Sequence, residues 1–481
     1  MNTSSESSWL IEQRVLHPDF GFGTILRVRF GGIHAYVQFH NGLKLWVRTA
    51  DLKFLEPRKS DKAQPQRIPI TLPERIRVLQ MIEAFKLGIV PGEDVPHFTF
   101  GRDKQIQFVK ETLKDLARGG TALLVEGPYG SGKTHFASYI EYLALQQGFA
   151  VARADLDPVE VSPYKPKRIY RALMSTLRWP RPDGEVGNFD DAFETLLIPS
   201  DIDMDDHHYF RIFYRIRKRN PSNAQIASLK AWLSGELFDR GDLDRLRIPG
   251  LPLLYDHTTA ADHLCYLLTG WSIFFKKHHL KGLLLIFDEA ETVFNYAHRF
   301  EKHRGMNTLR GLIDVALGRR ETLRSRPLHF DPHQRCYLDE SGHVHSGIKP
   351  LPYAYQLPAY LGVIFTVTPV VDTWYARLKA LVPETRHLVL WNLVTDDYRE
   401  ILAYVVRLYQ SIYPEVNLKT PERESLFQSL KSLLWEGTEP PNPRRFLKAL
   451  LEALEIRRHE PGISWNRLLE PPSFRSIYRV L

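Results

Sequence analysis

Gly127-Pro128-Tyr129-Gly130-Ser131-Gly132-Lys133-Thr134 is a complete phosphate-binding loop, and it lies between an apolar run at 121–125 and a helical pattern opening at His135-Phe136. The context decides the reading. A strand–loop–helix turn aims successive backbone N–H groups at one point, where the helix N-terminus already favours anions. In such a turn the residues from Gly127 to Gly132 wrap the β- and γ-phosphates, Lys133 adds a mobile cation, Thr134 offers its hydroxyl to Mg2+, and His135 opens the helix. The bare pattern arises by chance in roughly one chain of this length in a hundred, and the flanking strand and helix make coincidence rarer. The stretch therefore predicts a nucleoside triphosphate site on an α/β sheet.

Working outward, Leu283-Leu284-Leu285-Ile286-Phe287 ends in Asp288-Glu289-Ala290-Glu291, and the run 361–367 ends in Thr368-Pro369. With 121–125, 149–154 and 387–391 these give five strands separated by helical patterns. Their near-continuous apolar character is what strands covered on both faces of a parallel sheet require, so the expected fold is an αβα sandwich. Asp288, at a strand's C-terminal end, is placed to hold Mg2+ together with Thr134, and Glu289 to polarise an attacking water. In isolation such an acidic pair reads equally well as a helix N-cap; behind a complete phosphate loop the metal and water roles take precedence. Thr366 and Thr368 alternate in facing, and Thr368 is the one expected toward the γ-phosphate. Arg386, just before the last strand, and Arg444, in Asn442-Pro443-Arg444-Arg445-Phe446, are the cations expected to respond to nucleotide, although either taken alone reads as a surface arginine.

The chain divides into a β-rich segment (10–56), a charged, proline-bearing linker (57–72), an α/β core (73–394) interrupted at about 157–280 and 319–355, an all-helical segment (395–458) and a tail (459–481). In the core, a helix from Pro73 is expected to bury Ile76, Leu79, Ile82, Phe85 and Leu87. Thr395 is expected to cap the first helix of the all-helical segment. In the first segment, Val15-x-His17-Pro18-x-Phe20-Gly21-x-Gly23-Thr24-Ile25, then Val37-x-Phe39 and Ala50-x-Leu52, resembles the Tudor/SH3-like barrel of UvrD-type helicases and of CarD-like RNA-polymerase-binding domains. Arg27, Arg29, Lys44 and Arg48 offer it a basic face. Of Phe20, Phe22, Tyr36 and Trp46, most are expected in the core.

Composition sets outer limits. The 481 residues are 43% apolar and 25% charged, with two cysteines and a net charge of +8. That is ordinary globular composition, with too few cysteines for a disulfide framework. The start lacks the pattern of a signal peptide and no apolar run approaches the roughly 20 residues of a membrane span, so a cytoplasmic protein is expected. The mild positive excess leans toward an anionic partner without establishing one.

Taken together, the phosphate loop, the Asp-Glu strand, the Thr368 strand, Arg386 before a strand and Arg444 in the last helix resemble an AAA+ ATPase, closest to the origin-recognition initiators. That resemblance implies an α/β AAA+ core with a helical lid and ATP with Mg2+ as ligands. It places Gly101 and Arg102 near the adenine, Thr368 as sensor 1, Arg386 as an arginine finger on a neighbouring subunit and Arg444 as sensor 2. Within the superfamily, residues 84–91, Phe100-Gly101-Arg102 and the stretch from Glu126 to Phe136 look like the ATP-binding proteins of bacterial BREX phage-defence systems. The implied partners are DNA, double-stranded in preference, other defence proteins and further copies of the chain. Two other readings stay open: a non-enzymatic nucleotide switch, and an adaptor recruiting RNA polymerase or a helicase through the barrel.

Two features of the insertions complete the expectations. The basic, aromatic stretch 211–219 is expected to be an amphipathic packing helix. His333, Cys336, His343 and His345 fall around a turn where four ligands can hold zinc, but the spacing fits no zinc pattern, and an exposed polar hairpin is expected.

Overall fold

The computed structural model describes residues 13–30, 33–39, 43–54, 72–89, 92, 94–198, 204–218, 221–236, 260–324, 328–332, 336–346, 350–435 and 439–469. His333, most of the linker and the tail beyond 469 lie outside the described residues. The chain forms two compact units, residues 95–391 and residues 1–94 with 392–481.

In the second of these units, the strands β1 (Arg14–His17), β2 (Gly21–Arg29), β3 (His34–Phe39), β4 (Lys44–Arg48) and β5 (Lys53–Phe54) form an antiparallel sheet of order β4-β3-β2-β1-β5. Its core is Val15, Ile25, Ala35, Val37, Phe39, Val47 and Leu52, with Phe20 packed against it. Tyr36 and Trp46 depart from the expected core placement. Ala35, Val37 and Phe39 take the inward positions of β3, so alternation turns Tyr36 outward, where it meets the cross-strand Trp46 at 5.2 Å, capped by the Arg29 guanidinium.

The helix Leu72–Lys86 buries Val78, Met81, Ile82 and Phe85. This is one i, i+3, i+4, i+7 stripe, and it leaves Ile76 and Leu87 exposed, correcting the expected face. The helix packs with Thr395–Ile412 and Pro443–His459, and Lys86 pairs with Glu455 at 3.1 Å. Thr395 is the first helical residue and not the cap; Val394 holds the cap position and its N–H donates to Asp397 at 2.8 Å.

In residues 95–391, the strands β6 (Gly120–Glu126), β7 (Ala150–Asp155), β10 (Leu283–Asp288), β14 (Leu361–Val367) and β15 (His387–Val389) form a parallel sheet of order β15-β6-β14-β10-β7; β8 (Trp179–Pro180) and β9 (Val186–Gly187) form a separate short antiparallel pair. Alternate residues feed two cores. Leu123, Val125, Leu284, Ile286 and Ile364 pack with Val109, Leu113 and Leu116 of helix Asp103–Arg118 and with Phe136 and Ile140 of helix Lys133–Gln146. Leu124, Leu285, Phe287, Val363 and Phe365 enter the opposite core with Leu309, Leu312 and Ile313 of helix Arg299–Ala316 and with Trp271 and Phe274 of Asp262–Lys277. This is the αβα sandwich, and the two-sided burial explains why the strands read as unbroken apolar runs.

Much of the first insertion belongs to that second core. Helices Pro166–Ser175, Phe189–Leu197, Phe210–Arg217 and Asn223–Ser234 contribute Tyr170, Phe193, Phe210, Phe213 and Trp232 to it. The basic helix buries Phe210, Ile212, Phe213 and Tyr214, as a packing helix should. The second insertion carries β11 (His329–Asp331), β12 (Cys336–Leu338) and β13 (Val344–His345).

There His343 and His345 are buried, overturning the exposed hairpin. Two carboxylates supply the reason: His343 Nε2 meets Asp314, 29 positions away, at 2.9 Å, while His345 Nε2 meets Asp339, six positions away, at 2.8 Å. Among the described residues no His, Cys, Asp and Glu group is arranged for a metal ion. Burial disfavours the charged form of His343, but hydrogen bonds to Asp314 and Asp339 outweigh it and raise its pKa above 6.5. A raised histidine stabilises fully below its unfolded pKa and loses that contribution as pH rises through the folded one. Amide protection over 336–346 is therefore expected to fall as pH rises above 6.5 and through the raised value, and His343→Gln to cost about 3 kcal/mol and flatten the dependence. Hydrogen exchange across that range checks both; a pH-independent profile in the parent protein rejects the assignment.

Candidate functional site

The registers Val367↔Glu126 and Asp288↔Asp155 bring the carboxyl ends of four strands to one edge of the parallel sheet. The phosphate loop leaves β6 at that edge, and its backbone requires glycine. Gly130 and Gly132 have φ of +80° and +89°, and a Cβ on Gly127 would strike Ser131 Oγ. Helix Lys133–Gln146 begins directly behind Gly132.

Lys133 Nζ donates to the Gly127 carbonyl at 3.0 Å, to Pro128 at 3.3 Å and to Thr368 Oγ1 at 2.9 Å. Thr368 in turn donates to Glu291 Oε1 at 2.5 Å. One lysine thus joins the loop to the end of β14 and, through a hydroxyl, to the acidic segment after β10. Thr366, pointing the other way, donates to buried Asp288. Asp288 also receives Arg153 Nη2 at 2.8 Å, and Arg153 reaches Asp155 and Ser138 as well.

Glu289 follows with a left-handed backbone, φ +55°, and an exposed side chain. Partial burial, then Asp288, Glu291 and Asp155, raise its pKa above the usual carboxylate value against an opposing effect of Lys133. Thr134 is exposed at the first turn. Ser131 Oγ, 2% exposed as a residue, has no hydrogen-bond partner among the described residues. An unsatisfied buried hydroxyl, a glycine cradle and a free helix N-terminus suit a phosphate chain, and a threonine hydroxyl near a carboxylate-bearing strand end suits a hard cation.

The remaining expected residues take distinct positions. Gly101 has φ +64° and precedes Arg102, which is buried and donates to Ser131 O at 2.8 Å and Trp391 O at 2.7 Å. Arg102 thereby braces the loop against the chain leaving β15. Burial, reinforced by Arg102, pushes His135 down to about 4, so its ring is neutral and shares a 2.8 Å hydrogen bond with Thr99. Arg386 stands at the amino end of β15, away from the loop edge, in an ion pair with Asp115 of its own chain. Arg444 is exposed in the first turn of Pro443–His459, its stem against Gly88.

Three contributors went unforeseen. Arg153 neutralises Asp288; an arginine inside an otherwise apolar strand was the available signal. Glu291 lay within the quoted acidic run without a role. Glu126, immediately before the loop, is buried and held by Lys379 at 2.9 Å and by Tyr375, both on helix Thr373–Leu381.

Residues 74–195 match the family of the BREX system ATP-binding protein BrxC/D. The match covers about a quarter of the chain's 481 residues and includes the phosphate loop, β6 and β7. None of the curated proteins matches. Among solved structures, the ORC1 protein of Aeropyrum pernix in complex with DNA is 14% identical with a TM-score of 0.34, over 79% of this chain and 65% of that one. The chain thus spans just under two thirds of the ORC1 chain. The Walker-type ATPase of Pyrococcus abyssi gives 14% and 0.34, over 77% of this chain and 72% of that one. The HORMA:CdnC:Trip13 complex of Escherichia coli MS115-1 gives 10% and 0.32, over 75% and 91%.

Proposed function

We propose that this chain is an AAA+-type ATPase that binds ATP with Mg2+ and hydrolyses it to act on DNA or a DNA-bound complex in BREX-like phage defence, working in the cytoplasm as a homo-oligomer with other defence proteins. The observation that carries the reading is the convergence of Lys133, Thr368, Glu291, Asp288 and Glu289 at one sheet edge. The match of residues 74–195 supports the defence assignment.

Loop N–H groups and Lys133 bind the phosphates, Thr134 and Asp288 hold the cation, and Mg2+ supplies charge neutralisation when bound. Glu289 orients and deprotonates water; Thr368, tied to Lys133 before nucleotide arrives, is positioned to register the γ-phosphate. Arg102 and Gly101 shape the loop's adenine side. Arg386 serves a neighbouring subunit once its pair with Asp115 opens, and Arg444 acts as the lid cation. In this scheme residues 73–394 with their two insertions are the ATPase core, 395–458 the lid, and 10–56 a Tudor/SH3-like barrel offering a protein or DNA contact. Turnover measured with and without duplex DNA tests the proposal: stimulated ATP hydrolysis is expected. Tight nucleotide binding without turnover under either condition would favour the nucleotide switch instead.

A further inference from the structure

The helices Arg299–Ala316 and Thr373–Leu381 follow the two strands that end in Asp288 and Val367. Between them lies a cavity of about 330 Å3 lined by Ala297, Arg299, Lys302, Thr373, Trp374 and Arg377. Arg377 lies over the Trp374 ring at 4.7 Å, and His303 meets the ring edge-on at 4.8 Å. Trp374, half-buried, packs against the main core and carries the guanidinium on its face. No carboxylate among the described residues pairs with Arg299, Lys302 or Arg377. His303 shows the resulting field: burial, then Arg299, Arg377 and Arg304, hold its imidazole below the ordinary value.

We propose that this cavity binds the phosphate backbone of a nucleic acid, with Arg377 as a pre-set fork and Arg299 and Lys302 as flanking cations. Three unneutralised cations around a concave surface suit a phosphate chain, and a guanidinium fixed on an indole presents its N–H edges in the geometry a phosphate accepts. Contacts to phosphate carry no base information, so the binding is independent of sequence. The assignment of nucleic acid rests on the reading above; the cavity is separate from the nucleotide loop. It is also connected to that loop, because Lys379 and Tyr375, on the same helix as Arg377, grip Glu126 directly before Gly127. Occupancy of the cavity therefore bears on the position of the loop.

The test uses the full chain with a fluorescent duplex of mixed sequence, and a labelled ATP analogue in parallel. Arg377→Gln, and separately the pair Arg299→Gln with Lys302→Gln on the other helix, are expected to weaken duplex binding about tenfold. Each lost phosphate contact should lower the slope of log affinity against log salt by about 0.9. ATP-analogue affinity should remain within about twofold, and Arg377→Lys should restore the slope but not the full affinity. Unchanged duplex affinity and slope in both variants overturns the proposal. So does a parent protein that binds the ATP analogue but no duplex, an outcome that leaves the ATP reading standing. Better competition by polyglutamate than by the oligonucleotide overturns it in favour of an acidic protein partner.

Discussion

Glu289→Gln is expected to lower ATP turnover by about two to four orders of magnitude, the range lost when a positioned general base is neutralised. The substitution preserves size and leaves Asp288, Arg153 and Thr366 in place, so nucleotide affinity should change little or tighten as one negative charge beside the triphosphate disappears. Glu289 is set for this role by the backbone as well as by charge. A non-glycine residue at φ +55° is strained by roughly 1 kcal/mol or more. Glu289→Gly should accordingly be at least as stable as the parent protein while losing turnover equally. Single-turnover hydrolysis, nucleotide titration and thermal unfolding of both variants check these statements together. Normal hydrolysis by Glu289→Gln would remove Glu289 from the mechanism.

The sequence was most legible where local pattern and burial agree. The strand ahead of Gly127, the glycines with positive φ and the helix from Lys133 follow from residue type and period alone. The same holds for the apolar runs ending in Asp288 and Val367, since a strand covered on both faces leaves no polar alternation to misread. Pairings across long separations were not legible. Asp115 is 271 residues from Arg386, and Asp314 is 29 from His343, and no periodicity encodes either partner. For the same reason His343, expected on an exposed hairpin, lies buried on a carboxylate. Tyr36 and Trp46 failed differently: the alternation was present, but choosing its inward face needed the smaller Ala35 and Val37 to be weighed above two aromatic rings.

Lys133→Ala carries the largest expected effect on binding. Removing one member of a partly buried, hydrogen-bonded charge pair costs about 2–4 kcal/mol, which is roughly a 30- to 900-fold loss of ATP affinity. Before nucleotide arrives, the ammonium spends its three donors on the carbonyls of Gly127 and Pro128 and on Thr368. A γ-phosphate competing for that ammonium must displace at least one of them, and Thr368 is the partner on another strand. Withdrawal of Lys133 would leave Thr368 and Glu291, bonded to each other, as the groups facing the phosphate. On this account Thr368→Ala weakens ATP binding far less than Lys133→Ala, because it removes a competitor of the phosphate as well as a contact to it, yet it still slows hydrolysis. Lys133→Arg keeps the charge, but a planar guanidinium cannot serve three acceptors arranged around a point, so affinity should recover only in part. Isothermal titration of the three variants with a non-hydrolysable ATP analogue separates these cases. Equal losses from Lys133→Ala and Thr368→Ala would mean that the hydroxyl is a primary phosphate ligand, and that the lysine does not need to leave it.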